Sequence, residues 1–241
     1  MLLEKKMNNQ NDINAPRLDR RLACAASFIR EGAVVADVGT DHAYLPIALC
    51  LSGRSVGGVV TDINKGPIER ARANIKAHGL EDKLSAILTD GLLGAEKYFP
   101  TDITILGMGG ELIAGIISRA EWTKDSSIRL CLQPMTHAEI LRKYLTGNGY
   151  SIVDEALVKE DKIYQIIVAE YSGECEDLSL AELYFGKFNI ERGGEYLLQM
   201  LASWERILSV RIAGKEGSGE NAGEERELLS QISQIKNKGE K

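Results

Sequence analysis

The chain has 241 residues, 44% hydrophobic and 27% charged, an ordinary soluble globular composition with room for one good-sized domain and an appendage. Its 29 basic and 35 acidic side chains leave a net charge of −6, which on totals argues against a nucleic-acid partner. No apolar run approaches a membrane span, the start lacks a signal-peptide core, and four scattered cysteines with three histidines show no metal spacing, so a reduced cytoplasmic protein without a metal is expected.

Residues 1–16 are polar and expected as a disordered or flexible tail, or as an extension if translation begins at Met7. A leading helix follows in "LDRRLACAASFI", with Leu18, Leu22, Ala25, Ala26 and Ile29 on one face. "AVVADVG" is the first strand, and a helix runs on through "PIALCL", where Pro46 is tolerated in the first turn. "SVGGVVTD" is the second strand, followed by the helix "GPIERARANIKAHG" with proline near its start and Gly79 at its end. "LSAILTD" and "DITILG" are the third and fourth strands. A helix through "GELIAGIISRA", a fifth strand "IRLCLQP" and a helix "HAEILRKYLTGNG" complete the alternation. Short apolar strands separated by helices mark a parallel sheet covered on both faces.

"YSIVDEALVKEDKIYQIIVAEY" then holds two β-rich runs around a charged turn, a hairpin that gives the sheet an antiparallel edge. After the linker "SGECEDLS", residues 181–213 are expected as one helix with Leu197, Leu201, Trp204 and Leu208 at helical spacing. "AGKEGSGENAG" breaks it, and a second helix carries Leu228, Ile232 and Ile235, making a helical hairpin. The expected fold class is α/β: a Rossmann-like sheet of five parallel strands plus a closing hairpin over 17–172, with a C-terminal helical hairpin over 173–241. By analogy this is the arrangement of S-adenosylmethionine (SAM) methyltransferases rather than of all-parallel dinucleotide folds.

The first strand ends in "VADVGTDHAYLP". A dinucleotide site would want two more glycines after Gly39; Asp41 and Tyr44 stand there instead. An aspartate repels a pyrophosphate, whereas SAM brings a sulfonium and an ammonium against one carboxylate. Asp37 and Asp41 then fall on the favourable side, at roughly 4 kcal/mol for a close, partly shielded pair before desolvation. Gly39 gives backbone access, and nearby amides are expected to take the carboxylate. Asp41 also fits as the N-cap of the following helix, and Asp37 as a partner of loop amides. Asp62, 23 residues after Gly39 and followed by Ile63, ends the second strand where an acid accepts ribose hydroxyls. Asp90 and Gly91 follow the third strand, facing the adenine edge. The fourth strand ends in Gly107, Met108, Gly109 and Gly110, either a tight strand-to-helix turn, a reaction centre, or both.

Charge is uneven: residues 1–172 carry 20 basic and 22 acidic side chains, and residues 173–241 carry 9 and 13. Arg17, Arg20, Arg21 and Arg30 cluster before the first strand, as a solvated helix face or a local anion-binding face.

"RRLACAASFI", "VADVGTDHAYLPIAL", "DINKGPIERA", "TDGL", "ITILGMGGELI", "LCLQP" and "KIYQIIVAE", followed by a helical hairpin, resemble the bacterial tRNA (adenine-22-N1)-methyltransferases from about Arg17 to the end. The resemblance implies a SAM-dependent catalytic domain and a coiled-coil-like hairpin that helps hold tRNA. It also implies a cofactor site at Asp37, Gly39, Thr40, Asp41, Asp62, Asp90, Gly91 and Gly107–Gly110, with Asp41, Met108 and Gly109 nearest the reaction. Arg21, His42, Tyr44, Gln133 and Pro134 fall on the substrate side, and Tyr44, His137 and Tyr164 are candidates to stack on the base. That family usually carries asparagine after Gln-Pro; here Met135 follows. The acidic hairpin suits tRNA only if Lys187, Arg192, Arg206 and Arg211 gather on one side. The alternatives are methylation of another RNA nucleotide or a small molecule, or a non-catalytic RNA-binding relative. The sequence fixes no oligomeric state, and a monomer is compatible with it.

Overall fold

In the computed structural model, residues 15–239 are described; the expected N-terminal tail lies almost wholly outside them. The strands are β1 (Ala33–Val38), β2 (Ser55–Asp62), β3 (Leu84–Leu88), β4 (Asp102–Gly109), β5 (Arg129–Thr136), β6 (Tyr150–Lys159) and β7 (Ile163–Tyr171). They form one seven-stranded sheet in the order β3-β2-β1-β4-β5-β7-β6. β1 to β5 pair in parallel, and β7 joins β5 antiparallel with β6 outside it. This is the expected Rossmann-like sheet of five parallel strands with its closing antiparallel hairpin.

The strands read as continuous apolar runs because both faces are covered. Ala36, Val38, Ile103, Ile105, Leu130 and Leu132 pack on one side with α4 (Gly110–Ser118) and α5 (Ala138–Gly147). Val35, Cys131 and Ile166 pack on the other with α1 (Arg20–Phe28) and α2 (Tyr44–Leu51). α3 (Lys65–Ala77) joins α2 over Val60 and Leu84. Chain order reverses between β1 and β4, so the crevice at the carboxyl ends of the strands opens there.

The C-terminal part differs from the expected hairpin. Residues 181–213 are not one helix: α6 (Leu180–Phe185), α7 (Lys187–Arg192) and α8 (Glu195–Ser218) are separated at Gly186 and at Gly193–Gly194. The break at Gly186 has a specific cause. A Cβ there would lie 2.3 Å from the Glu155 carboxylate, which accepts from Phe188 N at 3.0 Å and so stops one helix and starts the next. The break expected from Ala213 onward comes later, because α8 continues to Ser218. A glycine costs a helix only about 1 kcal/mol, and the last turns are held by α9 (Gly223–Gly239) through Lys215–Glu225 and Glu216–Arg226.

These helices share a core of Phe185, Leu197, Leu201, Leu208, Leu228 and Ile232, against which Leu157 of β6 and Ile163 of β7 pack. Between them and the sheet lies a fully buried ion pair, Arg142–Glu155 at 2.7 Å. Arg142 also donates to Leu183 O and to Gln165 Oε1, so every face of the guanidinium is engaged. Among the described residues no helix is long and apolar enough to cross a membrane.

Candidate active site at the carboxyl ends of the strands

Asp37 is the penultimate residue of β1 and is buried. Its Oδ1 accepts the Thr104 hydroxyl of β4 at 2.6 Å. Burial pushes the carboxyl up to about 6, against the lowering effect of hydrogen bonds from Thr104 and Thr40. The chain then turns at Gly39, with φ +76, and the amides of Gly39 and Thr40 both donate to Thr61 O on β2. A Cβ on Gly39 would lie 2.0 Å from Met108 Cε, so only glycine lets the Met108 side chain of the β4 end pack down onto this turn.

Asp41 does not cap the next helix. Ala43 occupies that position in the left-handed region, and its amide is taken by Thr40 Oγ1 at 2.9 Å. Asp41 instead binds Arg70 of α3, with Nε to Oδ1 at 3.0 Å, and its Oδ2 lies 3.3 Å from His42 Nε2. The Arg70 hydrogen bonds hold its carboxyl below the usual range. His42 stacks on Tyr44 at 4.9 Å between ring centroids, while its backbone carbonyl accepts from Asn74 Nδ2 at 3.0 Å. Tyr44 stays 41% exposed. Arg21, Asp37, Gly39, Asp41, His42 and Tyr44 therefore line one cavity of about 190 Å³.

Asp62 ends β2, and its Oδ1 accepts from Asn64 N at 2.7 Å. Ile63 beside it is 66% exposed, an apolar side chain left at the mouth of the crevice. Asp90 lies two residues beyond the end of β3 and pairs with Arg119 at 3.1 Å. The carbonyl of Gly91 accepts the Thr61 hydroxyl at 2.8 Å. The three acids thus follow one another along the ends of β1, β2 and β3.

The Gly107–Gly110 segment is an irregular end of β4 running directly into α4, with the β5 register slipping on both sides of Met108. The expected tight strand-to-helix connection is there, since the helix begins at Gly110 directly after Gly109. Gln133 is buried and uses its amide entirely within the chain. Its Oε1 accepts from Gly107 N at 3.1 Å and Arg21 Nη1 at 2.8 Å; its Nε2 donates to Pro134 O at 2.9 Å and lies 3.5 Å from Met135 Sδ. It orients the loop and Arg21 and has no donor left for a base. Tyr164, under Arg21 at 5.8 Å, together with Pro134 and His137, lines a separate groove rather than the Tyr44 cavity.

Thr104, Arg70, Arg119 and Asn74 escaped sequence reasoning, because each meets its partner across a distance in sequence that no local pattern encodes. Arg30 does not share a basic face with Arg17 and Arg20. It actually chelates buried Asp102, Nε to Oδ1 at 2.9 Å, at the opposite end of the sheet, where its Nη2 also reaches Ser127 O. Arg17 and Arg20 remain exposed. The hairpin cations do not gather on one side as free charges: Lys187 pairs with Glu176 and Arg192 with Asp154, while Arg211 lies over Trp204 at 5.7 Å. Among the described residues no cluster of three or more His, Cys, Asp or Glu side chains is placed to hold a metal ion.

A methyltransferase domain model matches residues 18–167. The chain is 38% identical over 159 residues to the tRNA (adenine(22)-N(1))-methyltransferase of Bacillus subtilis (strain 168), covering 66% of this chain and 67% of that protein. The crystal structure of Streptococcus pneumoniae Sp1610 in complex with S-adenosyl-L-methionine superposes with a TM-score of 0.81 at 31% identity, over 91% of this chain and 99% of that one. M. capricolum TrmK, in complex with S-adenosyl-homocysteine, gives 0.73 at 25% identity over 91% and 96%.

Proposed function

The chain belongs to the methyltransferase family that includes the tRNA (adenine-22-N1)-methyltransferases, and from that premise we infer that it transfers a methyl group from SAM to N1 of adenine 22 in tRNA. The observation that carries this is the succession Asp37, Asp62, Asp90 along the ends of β1, β2 and β3, beside the Gly39 turn on which Met108 of the β4 end packs. Such a site suits a cofactor with a cationic end, a ribose and an adenine, and repels a pyrophosphate.

The bound cofactor supplies an electrophilic methyl group on a sulfonium. Asp37 would hold its amino-acid end beside the Gly39–Thr40 turn, and the buried Asp37 carboxylate would gain there the cationic partner that no described side chain gives it. Asp62 accepts the ribose hydroxyls, Ile63 covers the adenine face, and Asp90 with Gly91 meets the adenine edge. Gly107, Met108 and Gly109 form the wall against which the reacting atoms are aligned.

Adenine N1 has its own lone pair, so the protein needs no strong base; its task is alignment in a shielded site. N1 lies on the pairing edge, so the base must be free of its partner first. Tyr44 supports it best among the candidate aromatics, because it is half-exposed and lines the cavity shared with Asp37 and Gly39. Arg21, fixed by Gln133, faces the same cavity and suits the nucleotide phosphate. Methylation at N1 leaves the base cationic, and Asp41, held ionised by Arg70, stabilises that charge. The helical unit over 173–241 extends the tRNA contact, and the bacterial cytoplasm is where such a substrate is met.

Incubation with SAM and unmodified tRNA, followed by nucleoside digestion and mass spectrometry, is expected to yield 1-methyladenosine. Its absence from a preparation that binds SAM would discard the tRNA assignment in favour of a small acceptor.

A further inference from the structure

We propose that the groove between the reaction end of the sheet and the helical unit binds a nucleotide adjacent to the target adenine, an inference that rests on the tRNA reading above. The groove, of about 190 Å³, is lined by Pro134, His137, Lys162, Tyr164, Tyr184 and Trp204 among others. It is continuous with the reaction loop on two counts. The Pro134 carbonyl accepts from the same Gln133 amide that holds Gly107. The His137 carbonyl lies 2.1 Å from where a Cβ on Gly110 would stand, so the groove wall and the start of α4 are back to back.

Its chemistry is that of a single-strand subsite. Tyr164, Tyr184 and Trp204 are half-buried aromatic rings, and every base offers a π-face to such rings whatever its identity. Cations stand beside them: Lys162 Nζ lies 5.1 Å from the Tyr164 centroid, Arg21 lies 5.8 Å from the same ring, and Arg211 lies 5.7 Å from that of Trp204. Of the acids nearby, Glu139 accepts from His137 Nδ1 at 3.1 Å, Asp161 from the Tyr164 hydroxyl at 2.8 Å, and Glu225 pairs with Lys215, while Glu224 stands near Tyr184 at the far side. Freeing the pairing edge of the target exposes its neighbours as well, and the groove begins where the target crevice ends. The RNA strand then passes from the Tyr44 cavity across β5 and β7 onto α8, which gives the helical unit a contact role despite its acidic total.

The protein has two tryptophans, so Trp122→Phe leaves Trp204 as the sole tryptophan, excited selectively at wavelengths the tyrosines do not absorb. Titrating this variant with a tRNA transcript is expected to quench Trp204 saturably. Lys162→Ala, an exposed change, is expected to reduce the slope of log affinity against log salt by about 1, with SAM affinity unchanged. Transcript binding, scored by filter retention, with silent Trp204 emission and an unaltered salt slope would overturn the proposal. Should Trp122→Phe fail to fold, the Lys162→Ala salt slope decides alone. Methylation separates the two levels: a wild-type protein that methylates tRNA while both probes stay silent loses only the groove, whereas one that does not methylate tRNA loses the reading on which the groove rests.

Discussion

The Thr104 hydroxyl donates to Asp37 Oδ1 at 2.6 Å across the seam between β1 and β4. The Thr104 and Thr40 hydroxyls together do not offset burial, and the carboxyl rises from its ordinary range to about 6. The folded value exceeds the unfolded one, so the group favours the unfolded chain increasingly as pH rises from about 4 to 6, and the deficit stays constant above that. Asp37→Asn keeps the acceptor and removes the charge. It is expected to stabilise the ligand-free protein at pH 7.5, by at most about 3 kcal/mol, with the gain vanishing near pH 4. SAM affinity falls at least about tenfold, the loss of one charge-assisted bond. Thermal melts at the two pH values and calorimetric titration check both; a lower melting temperature at pH 7.5 would contradict the assignment.

Asp62 is held by one short-range bond, Oδ1 to Asn64 N at 2.7 Å. Asp62→Ala should therefore cost the ligand-free fold only about 1 kcal/mol while weakening SAM by about 3 kcal/mol or more, since two hydroxyls lose a charged acceptor. Equal effects on melting temperature and on SAM affinity would make Asp62 structural.

Asp41 sits between Arg70 and His42 at the edge of the Tyr44 cavity. Asp41→Asn is expected to lower kcat about tenfold, or 1.4 kcal/mol, and to change the SAM dissociation constant much less. Single-turnover rates measured beside equilibrium binding separate the two, and parallel losses would remove Asp41 from the reaction.

Arg142 and Glu155 are both fully buried where the sheet meets α6 and α7. Arg142→Met alone strands the Glu155 carboxylate and is expected to cost about 3–5 kcal/mol. The pair Arg142→Met with Glu155→Leu should recover much of that loss. Denaturant unfolding of the single and double variants measures the coupling.

The sheet was legible because its strands are uninterrupted apolar runs, and Asp37, Asp62 and Asp90 were legible because each stands where such a run ends. Side-chain commitments were not. Asp41 has the residue type of a helix cap, yet the chain turns left-handed at Ala43 and releases it to Arg70. Arg30 and Arg21 lie within one short stretch, but α1 carries them to opposite ends of the sheet, one to Asp102 and the other to Gln133. The break at Gly186 depends on Glu155, a distant residue whose carboxylate takes the space beside that glycine.

The most direct measurement compares methyl transfer from labelled SAM to two tRNA transcripts that differ only at position 22, adenine in one and guanine in the other. Incorporation into the adenine transcript with none above background in its partner is the predicted result. Equal incorporation into both would contradict the assignment of adenine 22 as the target.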